Sequence, residues 1–405
     1  MKIKRGSWKY AIGVPAIISL ALTLMCYYYW NLRLTFGFGD MSVRVSSAIK
    51  DLVRMDGSSF DEVVAINVSY DRALIPYSDA FGIPLGEIDI TDRRKLLTFL
   101  DSLSEWDNYR YVLCDINFDG GLSTEWDDAL FSRIAGMRDI TVACGSGTDV
   151  LHPEQIAAKL SCSTYEQFLS GDGFLKYTYL APDGMDCMAY RMWKELDGGS
   201  INTHWWGWSS DGKLCVRSFI PDLKFVTRSD YSALGEKNLY NLGADILSEP
   251  DMSILFNDKI VLIGDFKEFD FHDTIKNSVA GTAIIYNAYL ALRNGDHIVR
   301  FWILLVLFLA FGCEVFFALR NFWKEKDKTN AEKDNAGCEK PRARWKTIII
   351  SILDVCMTLI GYAGVMAIVC IILYLGSGLF VNAIIIGSLI ALFSLIVEQS
   401  YKKDE

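Results

Sequence analysis

The residues of this 405-residue chain best suited to chemistry are carboxylates placed just beyond apolar runs. Asp115 closes the run Tyr111-Val-Leu-Cys114, and Asn117 follows two residues later. Asp265 comes directly after Lys259-Ile-Val-Leu-Ile-Gly264, with Asp270 and Asp273 close behind. If those runs are strands of an open α/β sheet, the acids gather at the carboxyl edge, where such sheets bind ligands. Oxygen donors converging there suit a hard cation or the hydrogen-bond donors of a ligand. The competing role is structural: capping helices and bonding loop amides. Asp115, Asn117, Asp265 and Asp273 form the candidate ligand-binding set, with no metal specified. Hydrolytic chemistry finds little support, because the chain has no G-x-S-x-G, H-E-x-x-H, phosphate loop or dinucleotide fingerprint. Adjacency of His272 and Asp273 does not by itself make a base and its orienting acid. No catalytic residue and no cofactor are expected, and the chain reads as a non-enzyme.

The elements that must position these acids are legible as short apolar runs. Val63–Val68, Tyr111–Phe118, Ile140–Cys144 and Lys259–Gly264 are continuously apolar or nearly so. That pattern suits strands covered by helices on both faces. Between them, 91–103 places apolar residues at 96, 97, 100 and 103, a helical spacing with Thr91 as its expected N-cap. Residues 127–135 repeat the pattern, and 185–196 and 282–292 read as further helices. Short strands are expected at 176–180, 217–220 and 224–227. Strand–helix alternation predicts an α/β domain with a mixed, largely parallel sheet and helices on both faces. The cluster Trp205-Trp-Gly-Trp208 is expected to form a satellite core or an interfacial contact rather than a recognition surface.

Four apolar stretches are long enough to read as membrane spans: 10–30, 301–319, 348–375 and 379–397. Lys and Arg concentrate in 1–9, in 320–346 and in the tail 398–405. By the positive-inside rule these segments are cytoplasmic, which places 31–299 outside a bacterial inner membrane. The Tyr27-Tyr-Tyr-Trp30 cluster favours an uncleaved anchor over a signal peptide. Within the spans, Glu314, Ala363, Ala367, Gly387 and Ala391 are candidate helix-packing residues, the last four through small-x-x-x-small spacing.

Composition narrows the partners. Residues 31–300 hold 25 Lys and Arg against 40 Asp and Glu, a net charge of −15. Such a field disfavours nucleic acid and admits cationic ligands. The ten cysteines show no C-x-x-C pair, and the four histidines are scattered, so no structural zinc pattern exists. Cys114 and Cys144 read as buried thiols. One disulfide is allowed among Cys162, Cys187 and Cys215, with the pair left open.

Several ordered blocks resemble the second type of CHASE domain, a cyclase- and histidine-kinase-associated sensory extracellular module. They are Val63-Val-Ala-Ile-Asn-Val-Ser69, Val112-Leu-Cys-Asp-Ile-Asn-Phe118, Phe256-Asn-Asp-Lys-Ile-Val-Leu-Ile-Gly264, Asp273-Thr274 and Ala280-Gly-Thr-Ala-Ile-Ile-Tyr-Asn-Ala288. Together they cover about residues 60–296. The chain departs from the family at Asn67, where Asp is usual, and lacks its Trp-Pro segment. The resemblance implies a membrane-anchored sensory protein with an unspecified small ligand. With only 398–405 after the final run, relay through the spans to a separate membrane or cytoplasmic signalling protein is expected. The alternative is a structural or assembly subunit of a membrane complex that senses nothing.

Overall fold

A computed structural model describes residues 8–30, 61–78, 83–118, 122–145, 153–163, 174–225, 237–249, 251–274, 277–316 and 367–379, with scattered positions between them. The chain divides into two compact units. One comprises Asp51–Gly212 and Arg217–His297; the other comprises Met1–Lys50, Lys213–Val216 and Ile298–Glu405.

The first of these is built on six strands: β1 (Val63–Asn67), β2 (Tyr111–Cys114), β3 (Ile140–Cys144), β4 (Leu160–Cys162), β5 (Leu239–Asn241) and β6 (Ile260–Gly264). They form one sheet in the order β5-β1-β6-β2-β3-β4, and every pair is parallel. All residues of β1, β2, β3 and β6 are buried, as a sheet covered on both faces requires. Alternate residues feed two cores. Val64, Ile66, Val112, Cys114, Val142, Val261 and Ile263 face α2 (Arg93–Trp106) and α3 (Asp127–Gly136). On α2 the buried apolar set is Leu96, Phe99, Leu100 and Leu103, one helical stripe. The opposite face carries α4 (Met188–Asp197) and α5 (Gly281–Asn294), which pack on each other and on the sheet.

Local chemistry sets the boundaries. The N-cap of α2 is Asp92, not Thr91: its carboxylate accepts from Arg94 N at 3.0 Å and Lys95 N at 3.1 Å. Thr91 instead ends a hairpin strand, Pro84–Thr91, paired with Arg72–Ser78. Strand structure covers Phe174–Thr178 and Ser218–Phe219, whereas the described residues of 224–227 are not strand.

The second unit contains α1 (Trp8–Trp30) and a helix over 301–316. Ile18, Leu22 and Cys26 are buried on α1, and Ile303, Leu307, Phe311 and Val315 on 301–316, each set at four-residue spacing. Four transmembrane helices were expected, and this expectation is corrected: among the described residues no helix is long and apolar enough to cross a membrane. Pro15 lies inside α1, and Glu314 places a carboxyl group inside the helix over 301–316; both count against an uninterrupted apolar span. Residues 320–346, 380–397 and 398–405 lie outside the described residues, and 348–375 is described mainly from 367 onward. The expected multi-pass inner-membrane location is corrected with it. Of the candidate packing residues, Glu314 is buried and Ala367 is half-buried in a helix. Ala363, Gly387 and Ala391 lie outside the described residues.

Candidate functional site

The strand order brings the carboxyl ends of β1, β6 and β2 side by side, so Asn67, Asp265 and Asp115 share one edge of the sheet. The backbone fixes their spacing. Asp115 N donates to Ile263 O at 2.8 Å, and Val68 N donates to Gly264 O at 3.0 Å.

Around Asp265 every acceptor is used. Its Oδ1 accepts from Lys267 N at 3.0 Å and Glu268 N at 2.9 Å, and its Oδ2 from Phe269 N at 3.0 Å. The Ser69 hydroxyl sits 2.5 Å from Asp265 Oδ1 and 2.6 Å from Asn67 Oδ1. Asn67 completes the corner: Oδ1 accepts from Phe266 N at 3.0 Å, and Nδ2 donates to Asn241 Oδ1 at 2.9 Å. Burial opposes ionisation of Asp265, but the Ser69 hydroxyl and the three amides outweigh it and hold the carboxyl below its usual range. Asp265 therefore organises the loop after β6.

Asp115 is placed differently. A hydroxyl donated by Thr282 Oγ1 reaches its Oδ2 at 2.9 Å. Thr282 is fully buried in the first turn of α5. It can lie over the strand end only because position 264 is glycine; a Cβ there would collide with Thr282 Oγ1. The loop 265–280 returns over this point. Asp270 O accepts from Gly281 N at 2.9 Å, and Asp270 Oδ1 pairs with His272 Nε2 at 2.9 Å. Gly281 is the second close approach, since a Cβ there would strike Asp270 Oδ2. Desolvation at this partly buried position raises the Asp115 pKa first, and the Asp270 carboxylate raises it further, to about 7. Its bond to Asp270 raises the pKa of His272. The start of α5 faces both acids, and a helix N-terminus favours negative charge.

Of the four candidate residues, the sheet edge brings together Asp115 and Asp265 alone. Asn117 is exposed in the loop beyond β2. Asp273 is exposed on the hairpin 271–280, opposite Ser278. Sequence reasoning missed Thr282, and it noted Asp270 and His272 without pairing them. The signal for that pair was their two-residue spacing. Among the described residues no group of three His, Cys, Asp or Glu side chains is arranged to hold a metal ion. The arrangement suits proton exchange at Asp115 and the binding of a positively charged group beside Asp270.

A second cluster surrounds His297, which is fully buried. Its ring lies 5.2 Å from Trp193, 6.1 Å from Tyr179 and 6.2 Å from Phe219. Nε2 is 3.1 Å from Ser210 Oγ, while Nδ1 has no hydrogen-bond partner. Burial pushes its pKa down to about 4. The tryptophan cluster nearby splits. Trp208 joins this core against Tyr179 at 6.0 Å, whereas Trp205 is 97% exposed and Trp206 stacks on His204 at 4.7 Å.

Compared with known proteins, the chain matches no family model, no curated protein and no solved structure.

Proposed function

We propose that the α/β unit is a sensory, ligand-binding module that takes a small cationic ligand at the carboxyl edge between β6 and β2. One observation carries the reading: Asp115 is held by Thr282 in a partly desolvated position while Asp270 repels its charge from the overlying loop. A protonated amine or guanidinium entering there relieves that repulsion and draws Asp115 into its charged form. The net charge of −15 over residues 31–300 attracts the same class of ligand. Three of the CHASE-like blocks, 63–69, 112–118 and 256–264, supply β1, β2 and β6, the strands that meet at this edge, and that resemblance supports a sensory role. Ligand occupancy is read out by the loop 265–280, which carries Asp270 and His272 and leads directly into α5.

Calorimetry on the full chain at pH 7 tests this, with spermidine, arginine and lysine as probes. Binding is expected to release a fraction of one proton, seen as a heat that varies with buffer ionisation enthalpy, and D115N is expected to abolish both. Absence of binding at millimolar probe, or equal binding by D115N, overturns the reading.

A second reading, an assembly subunit that senses nothing, is favoured by the exposed Trp205 and by Phe81, which is 90% exposed. Stable co-purification with a partner, lost on Trp205→Ala and indifferent to D115N, supports it.

A further inference from the structure

We propose that Cys162 and Cys187 form a disulfide that fastens the edge of the central sheet to the start of α4. Cys162 is the last residue of β4, and Cys187 is the residue that caps α4. The two are partners in a parallel β-bridge, supported by Cys162 N donating to Asp186 O at 3.0 Å. Cys187 N is fixed in turn on Tyr179 O at 2.8 Å. Paired residues on neighbouring strands lie roughly 5 Å apart at Cα, inside the range of about 4.4–6.8 Å that a disulfide spans. Their thiols are in hydrogen-bond contact, and both side chains are buried.

The other cysteines of the region are engaged elsewhere. Cys144 is in register with Cys162 on the other side, but its Sγ lies 3.3 Å from Met185 Sδ. Cys215 belongs to the other unit and is bridged to Ile298. The sequence left three pairings open among Cys162, Cys187 and Cys215, and the bridge selects one.

The chemistry requires a disulfide oxidant, RSSR. One cysteine thiolate attacks RSSR and releases RS⁻, leaving a mixed disulfide on the protein. The second thiolate attacks the protein sulfur of that bond, forms the Cys162–Cys187 bond and expels the second RS⁻. Two thiols are oxidised, one RSSR is reduced, and the two protons end on two RSH. Contact with Cys162 and burial both push the Cys187 thiol well above its usual range. Exchange therefore proceeds from the unfolded or opened chain, and the bond is shielded once the unit has folded.

The experiment refolds the full chain in a glutathione redox buffer, then denatures it, alkylates free thiols and maps peptides by mass spectrometry. One cross-linked peptide joining Cys162 to Cys187 is expected, with two of the ten cysteines unalkylated. Reductant is expected to lower the Tm of the wild-type chain by roughly 5–10 °C and to leave C162S/C187S unchanged. Ten alkylated cysteines, or a link from Cys162 to Cys144, overturns the proposal. The mapping uses the wild-type chain, so it decides the matter even where the serine variants fail to fold.

Discussion

Asp265 and Asp115 close adjacent strands of one sheet, yet their environments push them in opposite directions. Asp265 is wrapped by three loop amides and the Ser69 hydroxyl, and its proton is held weakly. Asp115 receives one hydroxyl, from Thr282, and faces the Asp270 carboxylate, and its proton is held tightly. Position at a strand end is thus not enough to make a functional acid. The difference lies in how many donors the surrounding loop supplies. A fully satisfied carboxylate builds the loop; an under-satisfied one is available to a ligand.

The largest expected effect comes from removing the satisfied member. Asp265→Ala leaves three loop amides and the Ser69 hydroxyl without their acceptor, a loss of about 4 kcal/mol. Urea denaturation at pH 7 measures it, and a loss below about 1 kcal/mol would mean that the loop holds itself. The folded-state pKa of this group is lowered, so its contribution is present above pH 3.8 and is lost as pH falls below that.

His297 supplies the next effect and an opposite pH signature to that of Asp115. Its folded pKa of about 4 lies under the unfolded value of 6.5, so the unfolded chain takes up the proton first. Stability is intact above pH 6.5, declines as pH falls toward 4, and has then lost about 3 kcal/mol. His297→Phe, set among Tyr179, Trp193 and Phe219, is expected to remove this acid-side decline. An unchanged decline in the variant places the titration elsewhere.

The strands were more legible than the site, and the reason is physical. Runs such as Val63–Val68 and Lys259–Gly264 declare themselves because a sheet covered on both faces excludes polar side chains. Leu160–Cys162 and Leu239–Asn241 escaped notice because three residues carry no period. The position of Asp115 and Asp265 past the strands was also readable. Which of them is satisfied was not, since Ser69 lies 196 residues from Asp265 and Thr282 lies 167 from Asp115. Asp273 misled by adjacency: alternation along 271–274 leaves it exposed, while Asp270 and His272, two residues apart, bond each other. The expected spans rested on counting apolar residues, and that count passed over Pro15 in α1 and Glu314 in the helix over 301–316.

Asp115→Asn isolates the under-satisfied member. The folded pKa near 7 lies above the unfolded 3.8, so the folded state binds the proton more tightly. Stability from this group is complete below about pH 3.8, declines as pH rises, and levels off above about 7. Asparagine keeps the acceptor for Thr282 and carries no charge. D115N is therefore expected to match the wild type near pH 4 and to exceed it at pH 8 by about 2 kcal/mol, a value reduced from the full linkage energy because the side chain is partly exposed. Equal stability at pH 8 breaks the contrast with Asp265.

Thr282→Val tests the same contrast with the smallest change. The hydroxyl of Thr282 favours the charged form of Asp115, against desolvation and Asp270. Valine keeps the volume beneath Gly264 but donates nothing, so at pH 8, where Asp115 is ionised, the expected cost is about 1 kcal/mol. Near pH 5 Asp115 holds its proton, and the cost falls toward zero. The pH at which stability levels off moves upward by up to about one unit, which denaturant melts between pH 5 and 9 resolve. An equal cost at both pH values assigns Thr282 to packing alone; a cost confined to high pH shows that a single donor is what separates Asp115 from a permanently protonated acid.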